Sequence, residues 1–199
     1  DAVIHMNGTR VVAEGKTLYE HTMDKKLLKR LLAFGKERGI ALGVTMENGD
    51  YYTAPEEVER IDVLRWGETS RHFEDPMKLL ELPVRTLAYI GGPDRVRELE
   101  EHFPECKFFM FAGKTGADVV ENEASKAEGL KRLCEYYGMD LSQTVAFGDS
   151  MNDFEIVSRA GIGIAMGNSV EELKAAADYV TDPIDRDGVW NACRHFGWI

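Results

Sequence analysis

The sequence predicts an α/β protein in which a parallel, doubly wound sheet shares the chain with an α+β module. Three observations carry that expectation. From residue 122 to 199, short apolar runs alternate with amphipathic stretches across brief connections, as strands do when crossover helices lay them parallel. Residues 24–121 hold strands and helices of their own. Residues 1–23 read as a strand followed by a hairpin. The expected division is a core segment at 1–23, an α+β domain at 24–121 and the rest of the core at 122–199.

Each element has a local reason. Val3 to Met6 is a short apolar run broken by Asn7-Gly8, and Val11, Val12, Leu18 and Tyr19 surround Gly15-Lys16, which gives strand, turn and hairpin. Leu27, Leu28, Leu31 and Leu32 then fall at helical spacing behind Asp24 as N-cap, and Gly39 ends that helix after Lys36 and Arg38, whose charges suit its C-terminal dipole. Residues 40–45 and 51–53 are strands joined at Asn48-Gly49. A helix from Pro55 puts Val58, Ile61 and Leu64 on one face and runs into a polar loop at 67–75. Residues 86–90, a helix from Pro93 burying Val96, Leu99 and Phe103, and residues 107–111 make a β-α-β unit, followed by a strand at 117–120.

The last third is the most regular. Ser125-x-x-Glu128 predicts a capping box, serine and glutamate each satisfying an orphan backbone donor, and the helix it opens buries Ala127, Leu130, Cys134 and Tyr137. Strands at 144–147, 162–165 and 179–180 alternate with helices at 152–159, from Ser169 (again with a glutamate three residues on, Glu172) and at 189–195. In such sheets, ligands bind beyond the carboxyl ends of the strands.

Composition narrows the class of protein. The 199 residues carry 24 Lys and Arg against 35 Asp and Glu, a formal charge of −11, which argues against sequence-independent binding to nucleic acid. No apolar run approaches the ~20 residues that span a bilayer, and the first residues lack a signal-peptide pattern, so a cytoplasmic protein with no membrane partner is expected. Cys106, Cys134 and Cys193 form no C-x-x-C, and the five histidines show no metal spacing.

The chemistry collects at one predicted strand end, Phe147-Gly148-Asp149-Ser150-Met151-Asn152-Asp153. Gly148 allows a tight exit from the strand, Asp149 is delivered to the open edge of the sheet, and Asp153 follows four residues later on the same face. Two carboxylates and an asparagine make an oxygen-rich site that suits Mg²⁺, which accepts one or two protein carboxylates together with waters and a substrate phosphate; the alternative is that Asp149 and Asp153 only cap a helix and favour its dipole. Met151 breaks the alternation that a calcium hand requires. Lys126 stands at the first helical position behind Ser125, where a cation and free N–H groups together receive phosphate, although taken alone it reads equally as a solvated surface lysine.

These runs, with Ala160-Gly161-Ile162-Gly163-Ile164-Ala165-Met166-Gly167-Asn168, Ala175-Ala176-Ala177-Asp178-Tyr179-Val180 and Asp187-Gly188-Val189, resemble the haloacid dehalogenase superfamily and, more narrowly, its Cof-like sugar-phosphatase branch. The resemblance is continuous from about Val119 to Ala192 and weaker through an inserted cap domain, Asp24 to about Glu121, and into the Asn7-Gly8-Thr9 turn and hairpin, where that branch usually has Asn-Gly-Ala. It implies a partial Rossmann-like parallel-sheet core with an inserted α+β cap domain. It also implies a Mg²⁺-dependent phosphatase of small phosphorylated metabolites that works through an aspartyl-phosphate. By the same resemblance Asp149 is a magnesium ligand and Asp153 supports the metal. Asn152 binds the phosphoryl group and Lys126 neutralises charge shared by nucleophile and phosphate, while Asp185 and Asp187 read as loop residues, the alternative being contact with the metal's outer shell.

The family's opening D-x-D-G-T, which carries its nucleophile and its acid/base, has no counterpart here. One register would put His5 and Asn7 in place of the two aspartates and make Thr45 the second motif, but it leaves too little chain before Lys126 for the cap. The hairpin register accounts for every later element. It leads to the expectation of a truncated phosphatase lacking its first two β-α units and inactive by itself. The alternative is a degenerate, non-catalytic phosphate- or metal-binding relative.

Overall fold

The structure, a computed structural model, describes residues 1–111 and 113–199. They fall into two compact units, one formed by Asp1–Glu20 with Glu123–Ile199, the other by His21–Asn122. None of the described helices is long and apolar enough to cross a membrane.

In the first unit, β1 (Ala2–His5), β2 (Arg10–Ala13) and β3 (Lys16–Glu20) form an antiparallel sheet of their own in the order β1-β2-β3. The strand and hairpin expected of residues 1–23 are present, but they form a sheet separate from the parallel one. The Asn7-Gly8 turn sends the chain straight back along β1, and antiparallel pairing is the only result of so short a connection. Helix α1 of the second unit spans Lys25–Arg38, and the first unit resumes with α4 (Lys126–Tyr137) after β4–β8, α2 and α3, described below. Strands β9 (Val145–Gly148), β10 (Ile162–Ala165) and β11 (Tyr179–Val180) then alternate with α5 (Phe154–Arg159) and α6 (Glu171–Ala176), and α7 (Gly188–His195) closes the chain. The sheet is parallel, ordered β11-β10-β9, with Ile164 paired to both Phe147 and Tyr179. Its carboxyl ends, at Gly148, Ala165 and Val180, open onto a common edge.

Several local expectations fail for identifiable reasons. The helix expected from Asn152 is a tight 3₁₀ turn, Met151–Asp153, before α5, because the Asp153 carboxylate reaches back to the Asp149 and Ser150 amides. Ser169 does not cap α6: its hydroxyl donates to the Met166 carbonyl at 2.6 Å, and the helix starts behind Val170. The capping box at α4 is half made, since Ser125 Oγ accepts from the Glu128 amide while the Glu128 carboxylate pairs with Arg159 at 2.9 Å. Tyr137 is exposed and Leu130 only half-buried, because Gly129, seated on Ile4, shows which face of α4 packs.

The second unit is built on an antiparallel sheet, β5-β4-β6-β8-β7, from β4 (Ala41–Met46), β5 (Gly49–Tyr52), β6 (Leu87–Ile90), β7 (Cys106–Met110) and β8 (Gly116–Glu121). The predicted β-α-β unit is a split one: β6, α3 (Pro93–His102) and β7 are present, but β8 inserts between the two strands. Side chains alternate across the sheet. Leu42, Tyr89 and Val119 meet Leu28, Leu31 and Leu32 of α1 and Leu99 of α3 on one face. Ala41 and Tyr52 meet Val58 of α2 (Pro55–Trp66) on the other. Asp24 caps α1 as expected, accepting from the Lys26 and Leu27 amides at 2.9 and 3.0 Å. Leu64, expected on the buried face of α2, is 71% exposed, and Asp62 is buried in that helix because Arg71 holds it.

Candidate functional site

Strand β9 ends at Gly148, and a Cβ there would lie 2.5 Å from Asp153 Cβ and 2.8 Å from Val157 Cγ2. The requirement for glycine is steric: the strand exit runs directly beneath the turn that carries Asp153. That carboxylate is buried and fully engaged. Its Oδ2 accepts from the Asp149 amide at 3.1 Å and the Ser150 amide at 3.4 Å, and its Oδ1 accepts from Lys126 Nζ at 2.5 Å. Charge-assisted bonds of this kind are among the strong ones, and here one joins the start of α4 to the mouth of the parallel sheet.

Lys126 owes its place to the cap before it. Ser125 is buried, and its hydroxyl oxygen fixes the first turn of α4 by accepting from the Glu128 amide at 3.2 Å. Against that cap sits the turn Met6–Gly8. Gly8 has φ +89°, and a Cβ on it would stand 1.9 Å from the Ser125 carbonyl oxygen, so both the backbone angle and the close approach demand glycine. Asn7, in the left-handed region at φ 54°, is buried and accepts from Asn152 Nδ2 through its Oδ1 at 3.1 Å.

The four residues named from the sequence therefore gather in one unit: Lys126 bonds Asp153, Asp153 bonds the Asp149 backbone, and Asn152 stands between Asp153 and Asn7. The Asp149 carboxylate is exposed at the edge of a cleft of about 180 Å³ walled by Phe147, Met166, Ile184 and Val189. The far wall is pinned by Asn168 Oδ1, which accepts from the Ile184 amide at 3.0 Å, and by Asp182, whose carbonyl accepts from the Gly167 amide and whose carboxylate accepts from Asn191 Nδ2 at 2.9 Å. Asp185 lies in the turn before α7, and Asp187, in the left-handed region, precedes that helix directly.

The donor set fits a hard divalent cation. One exposed carboxylate beside a second held by N–H donors is what Mg²⁺ uses when it keeps several waters. Among the described residues no three of His, Cys, Asp and Glu converge, so a cage of protein ligands alone is not built.

Sequence reasoning did not assign Asn7 to the site. The signal was present, since an Asn-Gly pair forces left-handed backbone, but it reads equally as an ordinary hairpin turn. The residues of the rejected register have other surroundings. His5 is an exposed residue of β1 opposite Arg10. Thr45 belongs to the second unit, where its hydroxyl donates to Asp50 at 2.6 Å and accepts from Arg71 Nη1 at 3.0 Å, while Arg71 Nε donates to Asp62 at 2.7 Å. Burial pushes the Asp50 carboxyl up, but hydrogen bonds from Thr45, Arg71 and the His72 amide outweigh it and hold the group below its ordinary range.

A family model of haloacid dehalogenase-like hydrolases matches residues 1–193. YkrA of Bacillus subtilis (strain 168) is 31% identical over 201 residues, covering 98% of this chain and 76% of YkrA. The HMP-PP phosphatase of Klebsiella pneumoniae (strain 342) is 25% identical over 194 residues, covering 95% of this chain and 68% of that protein. Among solved structures, the HAD subclass IIB sugar phosphatase BT4131 is similar with a TM-score of 0.85 and 28% identity over 100% of this chain and 76% of that one. BT1666 from Bacteroides thetaiotaomicron is similar with a TM-score of 0.89 and 26% identity over 100% of this chain and 75% of that one. The chain belongs to the haloacid dehalogenase-like hydrolases.

Proposed function

We propose that this haloacid dehalogenase-like hydrolase is a Mg²⁺-dependent phosphatase of small phosphorylated metabolites, and that residues 1–199 supply its phosphate-binding and metal-supporting half. The observation that carries the reading is the Lys126–Asp153 bond at 2.5 Å beside Asn152 and the exposed Asp149, all beyond the carboxyl end of β9. Phosphoryl transfer asks a protein chiefly for positioning and for cations placed where negative charge spreads. Lys126 meets a phosphoryl oxygen while keeping its partner Asp153. Asn152 offers an amide N–H beside the one it donates to Asn7 Oδ1 at 3.1 Å. Asp149 would hold Mg²⁺ with Asp153 in support, and the ion would supply the positive charge that polarises a phosphoryl group. The phosphatase names among its relatives, HMP-PP phosphatase and the sugar phosphatase BT4131, support the substrate class.

The nucleophile is an aspartate outside the four residues. No D-x-D-G-T occurs in the 199 residues, so the aspartyl-phosphate step needs a carboxylate that this half-site does not contain. The test is hydrolysis of an aryl phosphate with and without Mg²⁺, by residues 1–199 alone and with a D-x-D-G-T-bearing segment supplied in trans. The expected result is no turnover alone, metal-dependent turnover with the segment, and its loss in Asp149→Asn. Clear turnover by residues 1–199 alone would show that the nucleophile lies within them. Phosphate uptake without turnover in either case would establish the non-catalytic alternative.

A further inference from the structure

We propose that Asn7 is a positioning residue of the phosphate site: its side-chain carbonyl fixes the Asn152 amide, and the turn it sits in couples that amide to Lys126. The inference rests on the phosphatase reading of the same site. Three segments distant in sequence close a ring. The Gly8 backbone lies against the Ser125 carbonyl, Lys126 bonds Asp153, and Asn152, adjacent to Asp153, donates to Asn7 at 3.1 Å. A planar amide that gives one N–H to a fixed acceptor has the direction of its second N–H fixed as well. Asn152 therefore presents one donor in a set direction to whatever binds beside Lys126.

The backbone supports a dedicated role. Asn7 is 9% exposed with φ 54° and ψ 35°, a conformation that asparagine, aspartate and glycine adopt at little cost and other residues rarely do. A hairpin turn as such needs no buried amide directed at a residue 145 positions away. The same constraint supplies clean variants. Asn7→Gly keeps the left-handed turn and removes the acceptor. Asn7→Asp keeps both turn and acceptor and adds a negative charge.

The test uses the whole chain and two readouts. The first is the side-chain ¹H–¹⁵N signal of Asn152, identified by its loss in Asn152→Asp, with the hydrogen-exchange rate of that NH₂ group. In Asn7→Gly the signal should move toward that of a solvated asparagine and exchange at least about tenfold faster, as expected when a partly buried hydrogen bond is lost. In Asn7→Asp it should stay close to wild type. The second is the affinity for inorganic phosphate in the presence of Mg²⁺, which Asn7→Gly should weaken about tenfold. Asn7→Asp should weaken it further at low ionic strength and less at high salt. An Asn152 signal unchanged in Asn7→Gly, in a protein whose other resonances show it folded, would overturn the proposal. If wild-type protein takes up no phosphate, the phosphatase reading fails, and the Asn152 signal still decides whether Asn7 positions that amide.

Discussion

The two units are of nearly equal length, yet they divide burial and chemistry unequally. The largest fully buried side chains of residues 21–122 include Tyr89, Met23, Leu28, Leu31, Leu32 and Leu99; those of the other unit are Ile164, Leu173 and Val11. Exposure runs the other way. Val145, Ile184, Trp190, Trp198 and Ile199 stand open in the unit with the parallel sheet, against Val63, Leu64 and Trp66 in the other. At roughly 1.5–3 kcal/mol for each large apolar side chain buried, the difference amounts to many kcal/mol of gross stabilisation. The second unit also meets its ordering entropy with a complete antiparallel sheet. The first spends residues on Lys126, Asp149, Asn152 and Asp153, and among the described residues no strand pairs with the outer edge of β9. Buried apolar side chains concentrate in one region and the candidate site residues in the other.

The largest effect that would break this contrast concerns local unfolding. In native-state hydrogen exchange, amides of β6 and β8 should be protected at least ~100-fold more than those of β9 and β10, since protection follows the free energy of opening each cooperative unit. Leu31→Ala should remove about 2–5 kcal/mol from the second unit, the usual cost of a leucine lost from a packed core. It should leave exchange in β10 unchanged. Equal protection throughout, with Leu31→Ala lowering both units alike, would mean that the chain opens as one body and that the inequality of cores has no thermodynamic consequence.

What the sequence revealed divides along the same line. Helix α1 was legible because Asp24, four leucines at helical spacing and Gly39 all point to one answer. The parallel strands were legible because Val145, Ile162 and Tyr179 begin apolar runs between helices. The site residues were reached from Gly148, the carboxylates and Lys126, whose chemistry is local. Asn7 was not grouped with them, because its hydrogen bond to Asn152 joins two segments that no local pattern links. The place of β8 between β6 and β7 was missed for a similar reason, as strand order is a non-local property. Leu64 misled because apolar periodicity cannot tell a buried face from an exposed one when a charged loop competes for it: Asp62 is turned inward by Arg71.

A smaller effect sharpens the account of that loop. Asp50 is held ionised by Thr45, Arg71 and the His72 amide, and its folded carboxyl titrates below its ordinary range. A group so depressed stabilises fully above its unfolded value of about 4, and that contribution is lost as pH falls through the folded value. Asp50→Asn should therefore cost about 1.5–3 kcal/mol at pH 7, the range for hydrogen bonds to a charged group. The gap between wild type and variant should narrow below about pH 4. Urea denaturation of both proteins between pH 7 and 3 measures it. A gap that stays constant over that range would show that Asp50 acts through shape and not through charge.

The smallest effect separates two residues of one sequence motif. Ser125 and Glu128 read as reciprocal partners in a capping box, but only the serine half is made, and Glu128 turns to Arg159 on the surface. Ser125→Ala should cost about 1 kcal/mol, as loss of an N-cap usually does, and because Lys126 follows it directly, phosphate affinity should fall with stability. Glu128→Gln removes only an exposed ion pair, a contribution of about 0–1 kcal/mol that salt screens, so it should fall within a few tenths of wild type at 0.5 M salt and leave phosphate affinity unchanged. Thermal melts of the two variants at low and high salt make the comparison. If Glu128→Gln costs as much as Ser125→Ala and the cost is insensitive to salt, then the glutamate closes the box in solution, and the start of α4 is held by two side chains where the geometry gives one.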